Sequence, residues 1–156
     1  MGRDAVRTGN GSVSVEIGPA RAEDLPAILA LLERNRLPLA EIERHLGAVV
    51  VAREGARLIG CAAVERYGTA GLLRSVAVEA DARGRGLGHR LTDAALECAR
   101  RHGVRTVYLL TETAAGFFPR LGFRPIARES VAPAVRRSVE FMSACPESAL
   151  AMVKEL

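Results

Sequence analysis

The segment Arg83-Gly84-Arg85-Gly86-Leu87-Gly88 sets three glycines at alternate positions at the mouth of an otherwise helical run. Each glycine weakens a helix by about 1 kcal/mol relative to alanine, so the composition calls for a reason. At a strand-to-helix junction, glycine lets main-chain amides approach a ligand where a Cβ would intrude. The first amides of a helix have no internal partner, and its dipole is positive there. With Arg83 and Arg85 beside it, the segment is suited to hold a phosphate. It is not a Walker A loop, because no lysine stands near it. A dinucleotide fold would place its glycines after an early strand and an acidic residue at the end of the next.

A second chemical signal is Arg74, set within the apolar run "GLLRSVAV". An unpaired buried charge is costly there, so either Glu65 or a ligand carboxylate must answer it. The planar guanidinium fork suits either.

The elements that would position these residues follow from periodicity. "VSVEI" (13–17) alternates as a strand. Asp24 stands where it can cap a helix with Pro26 in its first turn, and Leu25, Ile28, Leu29 and Leu32 share one face. A second short helix is expected after Pro38, with Leu39, Ile42 and Leu46 inward. Strands follow at 48–53, 57–66 and 72–78, the last apolar on both faces. The helix entered through the glycines carries Leu87, Leu91, Ala94, Ala95, Cys98 and Ala99 on one stripe, and Gly103 stops it. "RTVYLLT" (105–111) reads as a strand, "AAGFFPRLG" as a short helix, "FRPIARE" as a strand, "AVRRSVEFM" as a further short helix and "SALAMVKEL" as a closing strand. Residues 1–12 read as a flexible leader and 13–156 as one α/β domain, a mixed sheet covered by helices.

The chain has 156 residues, 49% hydrophobic and 26% charged, with net charge +4. No basic tract interleaves with aromatics and tryptophan is absent, which argues against nucleic acid as a partner. Cys61, Cys98 and Cys145 have no metal-ligand spacing and read as small hydrophobes in a reducing compartment, with no metal expected. The longest apolar stretch, "LGAVVVA", is strand-sized, so a cytoplasmic protein without a membrane partner is expected.

The pattern Arg83-x-x-Gly86-x-Gly88 after a strand ending "VAV" resembles the acetyl-CoA signature of the GNAT acetyltransferases. "AAGFFPRLGF" is similar to that family's A-x-x-F-Y-x-x-x-G-F segment. The resemblance covers residues 14 to 156. It implies a mostly antiparallel mixed sheet of about six or seven strands, with the "LLRSVAV" and "TVYLLT" strands splayed at the acetyl-CoA site. By the same resemblance, the amides from Arg83 to Gly88 bind the pyrophosphate, and main-chain groups of Val76, Ala77 and Val78 hold the pantetheine arm as an added strand. Two positions depart from the family pattern. Phe118 stands where the family has its acid tyrosine, and Thr111 where it has asparagine. A thiol with a pKa near about 8.5 can still leave as thiolate.

Acetyl transfer to an amine requires that a proton be taken from the ammonium form. Glu65 is the first candidate base, with a salt bridge to Arg74 as its alternative or complement. Glu112, directly after "VYLLT", is the second, and His45 reads as the end of a surface helix. Arg74, Ser75 and Arg36 are candidates for binding an acidic acceptor, although Arg36 also reads as an ordinary solvated loop arginine.

More narrowly, "NRLPLAEIERHL", "GLLRSVAV", "YLLTETAAGFFPRLGF" and "EFMSACPESALAMVKEL" are similar to the arsenic-resistance N-acetyltransferases, relatives of short glutamate-type amino-acid N-acetyltransferases. That resemblance implies acetylation of the α-amine of an amino acid or a glutamate-like toxin bearing an arsinate or phosphinate. A protein or peptide acceptor and a non-catalytic acetyl-CoA-binding module are the alternatives. The closing strand is a candidate for pairing across a homodimer.

Overall fold

Two continuous apolar runs, buried on both faces, form a hairpin of β2 (Val49–Glu54) and β3 (Arg57–Tyr67), turned at Gly55 with φ of 65°. A computed structural model describes residues 14–112, 114–138 and 149–156. In it β1 (Val15–Pro19) pairs with β2, and β4 (Ala70–Val78) with β3, all antiparallel. The remaining strands are β5 (Thr106–Thr111), the two-residue β6 (Arg124–Pro125) and β7 (Leu150–Glu155). They complete a seven-stranded mixed sheet ordered β1-β2-β3-β4-β5-β7-β6, in which only β4 and β5 run parallel.

Helices cover both faces. Helix α1 (Leu25–Arg34) buries Ile28, Leu31 and Leu32 over Val49, Val51, Cys61 and Ala63. Helix α2 (Leu87–Arg101) buries Leu87, Leu91, Ala95, Leu96 and Ala99 over the opposite set, which includes Val50, Ile59 and Val64. That neighbouring residues of one strand serve opposite cores follows from the two-residue period of a strand. Each buried leucine contributes about 1.5–3 kcal/mol of hydrophobic stabilisation. A third cluster seats Val131 and Val135, the latter in the four-residue α3 (Pro133–Arg136), on Leu72 and Ala151.

Two irregularities open the sheet where it matters. The β4–β5 pairing covers only Ala70↔Thr106, Gly71↔Val107 and Leu72↔Tyr108. Above it, β4 carries a bulge: Cys61 pairs with Ala77 but Ala63 with Arg74, so Ser75 and Val76 together oppose Ala62. Ser75 holds φ of 63°, a left-handed conformation uncommon outside glycine. A bulge bends its strand and frees a main-chain group from the ladder.

Several expectations are corrected. Asp24 does not cap α1 through its side chain; its carboxylate accepts from the Arg21 amide at 2.7 Å and pairs with Arg53. The second helix is a 3-10 segment, Ile42–Ala48, broken at His45, and Leu39 is exposed rather than inward. Leu96 and Thr92 replace Ala94 and Cys98 among the fully buried α2 residues. "FRPIARE" shrinks to two strand residues, with one further main-chain bond to β7 from the Ile126 amide to the Ala151 carbonyl at 2.9 Å before the chain turns at Arg128–Ser130. The expected helix "AVRRSVEFM" overlaps α3 at residues 134–136 only, and its part from 139 onward lies outside the described residues, as does the leader. The closing strand is not the last of the sheet, since β6 lies along it at Arg124↔Val153 and Pro125↔Met152. Among the described residues no helix is long and apolar enough to cross a membrane.

Candidate active site

The glycine segment forms the loop feeding α2. Gly84 and Gly86 take φ of 84° and 76°, values that L side chains rarely adopt, and a Cβ at either would meet only open space within 4 Å. The first α-helical bond runs from the Arg90 amide to the Gly86 carbonyl at 3.1 Å. The amides of Leu87, Gly88 and His89 therefore point out of the helix end. Leu87, 2% exposed, anchors the turn in the core. Gly88 has a different reason: a Cβ there would stand 3.4 Å from the Phe117 ring. Phe117 and Phe118 meet edge to face, so this aromatic pair fixes the helix entry. The sequence reading gave Phe117 no role.

The two arginines of the loop have protein partners. Arg83 donates from Nε to the Val78 carbonyl at 3.2 Å and from Nη2 to Asn35 Oδ1 at 2.7 Å. Its own amide closes the preceding turn on Ala80 at 3.5 Å, ahead of the amides from Gly84 to His89. Arg85 pairs with Glu54 at 3.0 Å.

Between the parted strands lies a cleft of about 750 Å³, within the usual size of small-molecule sites. Ser75 and Val76 of β4, Thr111 at the end of β5, and Phe118 line it. The Thr111 hydroxyl accepts the Ala114 amide at 3.0 Å, tightening the turn after β5. Phe118 is 7% exposed and packs against Phe123. Ala77 is buried toward α1, while Val76 and Val78 are partly buried along the strand that β5 has left. Arg36, after α1, and Glu112, after β5, both exposed, also enter the lining. Arg36 has φ of 57° in the turn that ends α1.

Glu65 and Arg74 are paired with each other. Their side chains are 2% and 1% exposed and form an ion pair at 2.6 Å. The other Glu65 oxygen accepts the Tyr67 hydroxyl at 2.6 Å, and His45 Nε2 lies 3.6 Å from the paired oxygen. Burial and the adjacent carboxylate push the Tyr67 phenol up from its ordinary value. Arg74 also donates to the carbonyls of Ala40 and Pro38 at 2.8 and 3.1 Å, and to Ser75 Oγ at 3.2 Å. The buried charge that the sequence left between Glu65 and a ligand is thus answered by Glu65. Arg74 contributes to the cleft lining and Glu65 does not. His45 is half-buried against this pair rather than a surface helix end. Cys61 donates its thiol to the Ser75 carbonyl at 3.1 Å, and burial pushes it up to about 12.

Residues 45–125 match the acetyltransferase (GNAT) domain family. An amino-acid acetyltransferase of Mycobacterium tuberculosis is 33% identical over 118 residues, 69% of this chain and 67% of the relative. N-acetylglutamate synthase from Neisseria gonorrhoeae, solved with coenzyme A and N-acetyl-glutamate, superposes with a TM-score of 0.79 at 24% identity, over 91% of this chain. The match covers 35% of that synthase, so the chain spans about a third of its length. Rv2747 from Mycobacterium tuberculosis, solved with CoA and NLQ, superposes with a TM-score of 0.77 at 25% identity, over 90% of this chain and 98% of that one.

Proposed function

This chain belongs to the GNAT acetyltransferase family, and on that premise we propose that it transfers the acetyl group of acetyl-CoA to the α-amine of a small amino acid or a close analogue. The observation that carries the reading is a helix-end cradle joined through Phe117 to a cleft where β4 and β5 part, with one cationic and one anionic side chain, Arg36 and Glu112, in that cleft's lining. The relatives named for amino-acid acetylation support the acceptor class.

In this reading the amides from Gly84 to His89 hold the pyrophosphate, whose negative charge the helix dipole favours. The main chain of Val76 and Val78, unpaired by β5, takes the pantetheine arm as a strand. A main-chain amide freed from the ladder by the bulge at Ser75 donates to the thioester carbonyl oxygen and stabilises the charge that develops there. Arg36 takes the acceptor's carboxylate and Glu112 removes the ammonium proton, directly or through water. Phe118 supplies no proton, so coenzyme A departs as thiolate or is protonated by solvent. The narrower acceptor, a glutamate analogue with an arsinate or phosphinate, rests on the sequence resemblance and on Arg36. Arg74, engaged by Glu65, adds no second open cation to support it.

Thiol release from acetyl-CoA, measured with each free L-amino acid, with phosphinothricin and with short peptides, tests the proposal. Turnover with one or more of the free acceptors is expected. Turnover with peptides alone would move the acceptor class to proteins, and none with any acceptor would leave a binding module.

A further inference from the structure

We propose that Glu65 and Arg74 form a positioning clamp that holds the acceptor wall of the cleft against the β4 bulge, with neither side chain touching substrate. Residues 37–39 carry no regular secondary structure, and Pro38 has no amide to donate. The Leu37 amide reaches back to the Leu32 carbonyl and the Leu39 carbonyl accepts from Ile42; across to the sheet, the Arg74 guanidinium takes the carbonyls of both Pro38 and Ala40. The same side chain reaches Ser75 Oγ from Nε. One buried group therefore sets the spacing between the wall bearing Arg36 and the bulge beside the reacting centre.

The arginine's five donors are largely spent on these acceptors and on Glu65. A buried ion pair is weak evidence for stability, because its desolvation offsets much of its attraction. Geometry is the better account of it here. Glu65 is itself held by Tyr67 from one side and faced by His45 on the other. Tyr67 and His45 thereby fix the carboxylate on which the clamp turns.

For its kinetic arm the inference rests on acetyl transfer to an amino acid; its second arm does not. In the full-length chain, Glu65→Gln is compared with wild type for acceptor KM, acetyl-CoA KM and the pH profile of kcat, using the free amino acid that wild type turns over fastest. Hydrogen exchange of backbone amides 36–42 is measured alongside. The expected result is an acceptor KM raised about tenfold, the scale of one weakened charge-assisted hydrogen bond. The acetyl-CoA KM and the shape of the pH profile stay unchanged, and exchange quickens across 36–42. A lowered acceptor KM would overturn the clamp, since a released Arg74 would then be binding the carboxylate directly. A flattened pH profile with unaltered KM would overturn it in favour of Glu65 as base. Unaltered exchange at 36–42 would overturn it whether or not any amino acid is a substrate. Should Glu65→Gln fail to fold, Tyr67→Phe, which removes only the supporting hydroxyl, is read by the same outcomes with smaller shifts expected.

Discussion

Replacing Gly86 by alanine isolates the cradle from the rest of the molecule. Gly86 sits at φ 76° and ψ 15°, and nothing lies within 4 Å of the added Cβ. The free protein therefore meets no clash, only the left-handed strain of an L residue, about 1–2 kcal/mol. The loop can relieve that strain by rotating toward negative φ, which turns neighbouring amides away from the phosphates. One charge-assisted hydrogen bond is then lost, worth about 1.5–3 kcal/mol, so coenzyme A should bind between ~10- and ~150-fold more weakly. Calorimetric titration with coenzyme A reads the affinity and a thermal melt reads the strain. A lowered melting temperature with an unchanged dissociation constant would refute the placement of the diphosphate at these amides.

Arg36→Ala should raise the acceptor KM about tenfold and leave the acetyl-CoA KM alone, read by steady-state kinetics; an equal effect on both would deny it a carboxylate. Glu112→Gln should lower kcat about a hundredfold near neutrality and abolish its dependence on a deprotonated base, read from the pH–rate profile. Arg53 holds the Asp24 carboxyl well below its ordinary value of 3.8, at about 2. The pair's contribution is therefore full above pH 3.8 and fades as pH falls toward 2. Asp24→Asn should accordingly cost about 2 kcal/mol at neutral pH and almost nothing near pH 2, measured by denaturant titration. Cys61, with its thiol pushed up to about 12, should resist alkylation in the native protein and react only on unfolding, read by mass spectrometry of digested peptides.

What could be read in the sequence was local. The cradle is a glycine segment abutting a helix, and both halves of that signal lie within a few residues. The β2–β3 hairpin announced itself by two short apolar runs on either side of a glycine turn. Arg74 could be recognised as a charge in need of a partner, but the partner depended on register across β3 and β4. That register shifts at Ser75, which no periodicity reveals. His45 was misplaced for a related reason. A kink at φ −111° and ψ 17° breaks the expected helix and brings the ring toward Glu65. Phe117 had no role to be read because its contact, the face of Gly88, is made between segments about thirty residues apart in the chain. Arg36 and Glu112 meet the same cleft only because β5 leaves β4 after three residue pairs.

Carbon-13 NMR of the acetyl group answers the central question most directly. With acetyl-labelled coenzyme A and a mixture of free amino acids, the label should move to an amide on an α-nitrogen as free thiol appears. Label that stays on the thioester, or emerges only as acetate, would contradict acetyl transfer to an amino acid.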